Sequence, residues 1–269
     1  AAEALHWHRQ FPDWTCAARE APRCDGHSNG ESASSLLCAM GFFFQHFHVA
    51  TSYPPQSRGF GVVPTELAPL RTLPLETLTP VQYLRWLVVL VGDLHHPLHW
   101  LHQHGYGSLI NLEYAGQHHT LLSFWETYIP QQLAPVPPVE LLSDQYHSQK
   151  SAWRGKTPLD LFHEWASEVA ALVCSDIYSK VEVNHRDGSR SIEALTRITG
   201  DTFEQWLKLA NSLTILAGLR LAFLLDDFIR HKNRAAKAAK VLTTMATTSV
   251  IANLRGSIAA PENDASLVD

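Results

Sequence analysis

The chain has 269 residues, enough for one large domain or two small ones with a sizeable buried core. Apolar residues make up 45% and charged residues only 17%, which argues against extended disorder and leaves less charge than a solvated monomer usually carries. A formal net charge of −5 excludes a strongly cationic coat for nucleic acid, although not a local basic groove.

Residues 1–30 are irregular in pattern, with Pro, Cys, Asp and Gly throughout. Residues 1–10 lack the apolar core of a secretory signal. Segment 32–48 begins with serines able to cap a helix and continues apolar, which predicts a helix. The proline-rich stretch 53–74 predicts loop or extended chain. Thr79-Pro80 is a strong helix start, and the run that follows is apolar on nearly all sides, as in a helix at the centre of a bundle. Pro97 kinks or ends it. Residues 105–118 alternate weakly and suit a short hairpin before a helical run from His119 to Tyr128. Prolines between 130 and 138 break the chain again.

Leu159–Lys180 and Thr202–Phe228 have helical periodicity. In the second, Ala217, Gly218, Leu221, Ala222 and Leu225 form a small-residue stripe suited to close helix packing. Arg230, Lys232, Arg234, Lys237, Lys240 and Arg255 follow without an intervening acid. The expected class is mainly α, a single-domain helical fold over 31–229. It is flanked by an irregular N-terminal extension, 1–30, and by a basic helical extension with an acidic tail, 230–269. No apolar run is long enough to span a bilayer. Cys16 and Cys24 are close enough for a local disulfide. Four cysteines allow three full pairings, however, and in a chain this long buried free thiols compete with all of them.

Sixteen His are the unusual count, and His is the commonest metal ligand. The sharpest local signal is Gly92-Asp93-Leu94-His95-His96-Pro97-Leu98-His99: a carboxylate and three imidazoles within a short helical stretch, the donor types of a zinc site. The competing reading is a set of buried, hydrogen-bonded histidines.

Five stretches, in order, resemble the zinc-dependent S1/P1 nucleases, a single-strand nuclease and 3′-nucleotidase family related to bacterial phospholipase C. His46-Phe47-His48-Val49, with Pro54-Pro55 trailing, is similar to the family's His-Phe-Ile-Asp segment. Val91–His99 is similar to its Val-Gly-Asp-Ile-His-Gln-Pro-Leu-His. Leu121–Glu126 resembles Leu-His-x-x-Trp-Asp. Trp165-Ala166-Ser167-Glu168 and Ala217-Gly218-Leu219-Arg220-Leu221-Ala222 resemble two of its helices. The resemblance implies an all-helical fold holding three zinc ions in a cleft, where they would polarise a phosphate and activate water.

Carried over position by position, the resemblance implies that His46, Asp93, His99 and Glu126 occupy metal-ligand positions, with Glu31 added by spacing. The same comparison puts hydrocarbon where the family has imidazole, at Val89 and Leu122, and puts Val49 where it has an assisting Asp. A family Asn falls near Ser108. The half-cystine position expected to pair with Cys174 holds Arg58, and nothing reproduces the family's N-terminal Trp ligand. One site would retain Glu31, His46 and Asp93, and a second only His99 and Glu126. These are read as vestigial positions, so no bound cofactor is expected, and zinc is the metal if there is one.

The expected function is therefore a catalytically degenerate nuclease-like subunit whose partners are other proteins, with nucleic acid not favoured; the many Trp and Tyr suit interfaces. The alternative is a divergent zinc-dependent phosphodiesterase in which some of His48, His95, His96, His102, His104, His118 and His119 supply replacement ligands. A metal-binding module without turnover would use the same residues. The compartment stays open; an organelle or the secretory pathway, entered through a removed targeting segment, is compatible.

Overall fold

The computed structural model describes residues 35–51, 79–101 and 103–258. Side chains of 48–51 and of 231–258 lie outside the description, as do the readings made for 1–30, Glu31, 52–78, His102 and the acidic tail. The fold is mainly α, as expected.

Helix α1 (Ser35–Thr51) covers the first predicted helix. Helix α2 (Pro80–Leu94) starts where Thr79-Pro80 placed it. The Thr79 side chain accepts from the Gln82 amide, and Gln82 Oε1 accepts from the Thr79 amide at 2.7 Å, a complete capping box. Pro97 ends this helix rather than kinking it, and opens a 3₁₀ turn, Pro97–Trp100. The Trp100 indole N–H bonds back to the Leu94 carbonyl at 2.9 Å, covering an orphan acceptor at the helix end.

The predicted hairpin forms from β1 (Asn111–Tyr114) and β2 (Gln117–Thr120). Both loop residues, Ala115 and Gly116, have positive φ, which suits the right-handed twist of a two-residue hairpin. His119 therefore lies on a strand, and the helical run begins at Leu121. That helix, α3, joins Leu121–Ser123, a π-helical stretch Phe124–Tyr128 and Ile129–Gln132.

Helix α4 (Val139–Trp153) is followed by α5 (Pro158–Leu172), which passes through a second π-helical stretch (Val173–Tyr178) to Val181. Strands β3 (Glu182–Asn184) and β4 (Arg190–Ile192) make a small antiparallel pair. Strand β5 (Thr196–Arg197) lies parallel to β1. Helix α6 (Gly200–Ile258) is continuous through residue 230, where the basic extension was expected to begin.

One apolar core joins α1, α2, α5 and the first half of α6, with Trp100, Trp165, Trp206, Phe43, Phe124 and Phe162 fully enclosed. Two sequence readings are corrected here. Helix α2 is not apolar-buried all round, because Val81, Val88 and Val89 face solvent. Among the described tryptophans, Trp100, Trp125, Trp153, Trp165 and Trp206 are buried within the chain and Trp86 is half-buried against its core, so they are core residues rather than surface anchors.

The small-residue stripe of α6 packs only in part, with Ala217, Leu221 and Leu225 half-buried against the core. Gly218 and Ala222 are exposed, and Leu213, Leu219, Arg220 and Leu224 point inward. Cys38 and Cys174 are both disulfide-bonded, which overturns the free-thiol reading and the idea that Cys174 lacks a mate. Among the described residues, no helix is long and apolar enough to cross a membrane.

Gly107 and Gly116 both have positive φ, but only a side chain at 107 would crowd a neighbour, meeting Leu121 at 3.2 Å. Gly116→Ala should cost about 1–2 kcal/mol from backbone strain alone, and Gly107→Ala measurably more. Urea unfolding of the two variants checks this, and equal losses would contradict it.

Candidate metal centre

The end of α2 and the turn after it set the geometry of the centre. Asp93 lies on the last turn of α2, His95 caps it, and His96 leads into the 3₁₀ turn that carries His99. The C-cap residue is His95, not glycine, and the three imidazoles have separate environments.

His95 is locked in place. Its Nδ1–H donates to the Val91 carbonyl at 2.7 Å, and its Nε2 accepts from Arg220 Nη1 at 3.0 Å. Burial, then the Arg220 charge, pushes its pKa down to about 3, so the ring is neutral at ordinary pH. Arg220 also pairs with Glu168 through Nη2 and lies over the Trp165 ring at 4.9 Å. The Trp-Ala-x-Glu and Ala-Gly-x-Arg stretches thus meet at one buried guanidinium that anchors the end of α2 to α5 and α6. With both nitrogens engaged, His95 has none to offer as a replacement ligand.

His99 is buried between two carboxylates. Its Nδ1 lies 3.6 Å from Asp93 Oδ1, and its Nε2 lies 3.8 Å from Glu126 Oε1. His96 stands beside it, ring centroids 4.3 Å apart, with Trp125 edge-on to His96 at 6.4 Å. Both His96 nitrogens are enclosed without a hydrogen-bond partner. Desolvation, then the neighbouring His99, holds its pKa well below the usual imidazole range. Glu126 comes from the π-helical stretch of α3, a distortion frequent at functional sites.

His96, His99 and Glu126 each offer a ligand atom, and these atoms lie within 4.8 Å of one another. Among the described residues this is the one such group of three or more. Two imidazoles and a carboxylate are the donor set of an open, catalytic-type zinc site, which leaves a fourth position. The residues fit one ion.

Of the positions named from sequence, the structure brings His99 and Glu126 together and puts Asp93 on the far nitrogen of His99. His46 does not belong to the three-membered group. Its Nδ1 bonds the Phe42 carbonyl at 2.9 Å, and its ring stacks against Tyr83. His104 is in a left-handed turn against Tyr178, and His119 packs on Phe124 and Tyr128. Of the spare imidazoles among the described residues, only His96 joins the centre. Val89 is exposed, and Leu122 is half-buried against the core.

Sequence reasoning missed a second charged cluster. Lys150 of α4 and Arg230 of α6 both pair with Asp226, to which the Tyr146 hydroxyl also donates at 3.1 Å. Desolvation pushes the Asp226 pKa up, but these donors outweigh it and hold the carboxyl at about 2. Lys150, Asp226 and Arg230 line a pocket with Arg154, Lys156 and Phe223.

Helices converging on a His-rich, carboxylate-lined centre are consistent with the nuclease-related family that the chain matches. The S1/P1 Nuclease family matches residues 66–230, and the chain belongs to that family. It is 27% identical over 159 residues to Nuclease S1 of Aspergillus oryzae, covering 53% of each protein. It is 33% identical over 108 residues to Nuclease PA3 of a Penicillium species and likewise to Nuclease P1 of Penicillium citrinum, covering 34% of this chain and 40% of each relative. The matches span about half, or less, of those relatives' lengths.

The neutral, enclosed His95 makes stability depend on pH. Its folded pKa of about 3 lies below the ordinary 6.5, so between those values the unfolded chain takes up a proton that the folded chain refuses. Its contribution is complete above 6.5 and falls by up to about 1.4 kcal/mol per pH unit on acidification towards 3. In chelator-treated protein, Tm should drop between pH 7 and pH 4, and His95→Gln should flatten that slope. Unchanged slopes would contradict this. Arg220→Met, which strips His95 Nε2 of its donor, should cost about 2–3 kcal/mol at pH 7.

Proposed function

We propose that this chain is a degenerate member of its family, kept as an interaction subunit of a larger protein assembly rather than as a polynuclear phosphodiesterase. The observation that carries this is the face of α2 leading to Asp93. Val81, Val88 and Val89 are 57%, 43% and 44% exposed there, and Val89 stands one turn before Asp93, where the family pattern has an imidazole. Exposed valines at helical spacing form an apolar strip that a partner protein would cover. A polynuclear centre would need donors in the same place.

Several positioned groups are replaced together, and losing one typically costs about 10²–10⁴-fold in rate. A net charge of −5 favours a protein partner over nucleic acid. Disulfide-bonded Cys38 and Cys174 support residence in an oxidising compartment such as the secretory pathway.

A second reading, a single-metal phosphoesterase, is favoured by the His96–His99–Glu126 group. A divalent ion bound there would supply Lewis acidity towards a phosphate oxygen. On that reading Asp93 orients His99, and the exposed Glu126 admits substrate from solvent.

Two measurements separate the readings. Zinc-supplemented protein should hydrolyse single-stranded DNA, RNA and 3′-nucleotides no faster than buffer; zinc-dependent turnover abolished by Glu126→Gln would establish the second reading instead. Val88→Asp should leave stability within about 0.5 kcal/mol while releasing the chain from its native complex. A wild-type chain recovered only as a lone species would contradict the subunit role.

A further inference from the structure

The His96 ring is the least explained group in the centre. Both its nitrogens are shut away from water with no hydrogen-bond partner, which leaves polar atoms uncompensated at a free-energy cost. The ring is held at that cost 4.3 Å from His99, on the side where His99 Nε2 faces Glu126. The family pattern has Gln at this position, so its ligand set gives no reason for the imidazole.

We propose that His96, His99 and Glu126 bind one divalent ion of the zinc class, with Asp93 as a positioning residue on His99. Two nitrogens and an oxygen bonded at zinc distances in a tetrahedron lie about 3.4 Å apart. The ligand atoms here lie within 4.8 Å of one another, and the His99–Glu126 pair is already at 3.8 Å. The remaining closure falls to Glu126, whose side chain is 42% exposed and free to rotate inward.

Asp93 faces Nδ1 of His99. A hydrogen bond there on closure fixes the tautomer that leaves Nε2 as donor, the carboxylate–histidine–metal arrangement. The exposed edge beside Glu126 leaves a fourth position for water or a partner's side chain. The centre is mononuclear, with its second imidazole supplied from the turn after α2.

The test uses the full chain stripped with chelator and titrated with zinc by calorimetry, and with cobalt by absorption. The expected result is one ion per chain, visible cobalt bands of a four-coordinate N/O site, and a raised Tm. His96→Gln and Glu126→Gln should each weaken binding at least about 100-fold with circular dichroism unchanged. Asp93→Asn should weaken it about 10–100-fold, the range for an orienting partner.

No zinc uptake at micromolar concentrations overturns the site, as does a folded His96→Gln protein that binds like wild type. If one variant fails to fold, the other decides. The subunit reading is separable: zinc bound without hydrolysis supports both, zinc bound with hydrolysis supports the site against that reading, and no zinc removes the site alone.

Discussion

The Arg220 guanidinium is the fixed point of this molecule. It reaches from α6 to His95 at the end of α2 and to Glu168 and Trp165 on α5, so three helices are registered by one buried cation. Burying a guanidinium is expensive unless its donors are matched. The neutral His95 acceptor, the Glu168 carboxylate and the Trp165 ring offset part of that cost, while the buried Nε–H has no acceptor among the described residues. Because His95 is committed inward, the chain can turn at Pro97 and present His96 and His99 on the other side, towards Trp125 and Glu126. The structural and chemical halves of the His-rich motif are separated by that one contact.

The motif's donor arithmetic then follows from local geometry. An Asp on the last helical turn and a His on the following 3₁₀ turn lie side by side, which is why Asp93 meets Nδ1 of His99. The π-helical stretch in α3 brings Glu126 to the opposite nitrogen. Val89, one turn further back on α2, extends an exposed apolar strip instead. On the proposed reading the centre sits on the turn after α2 rather than on the face of that helix.

Much of this was legible in the residues. Thr79-Pro80 marked α2 through capping chemistry, and the weak alternation after residue 105 marked the hairpin. The motif stretches marked Asp93, His99 and Glu126, which the structure brings side by side. Other features carried no local signal. Helix α4 buries only a narrow seam of Leu142, Tyr146, Lys150 and Trp153, with Lys150 turned inward to Asp226, so its periodicity is thin. The β1–β5 pairing joins residues more than eighty apart in a strand of two.

Other misreadings share a cause. Composition cannot distinguish a ring enclosed by its own chain, as Trp100, Trp165 and Trp206 are, from one awaiting a partner. The α6 stripe lies at the edge of the packing face, so Ala217, Leu221 and Leu225 meet the core while Gly218 and Ala222 face solvent. Among seven spare imidazoles the sequence offered no ranking, since His95 and His96 are adjacent and chemically identical. Only the hydrogen-bond partners separate them, two for His95 and none for His96.

The most direct test is a crystal structure of the zinc-soaked chain with anomalous difference maps on either side of the zinc edge. The account predicts a single peak bounded by His96, His99 and Glu126, with Asp93 on the far side of His99. Two or three peaks, with one coordinated by His46 and Asp93, would contradict it and restore the polynuclear centre.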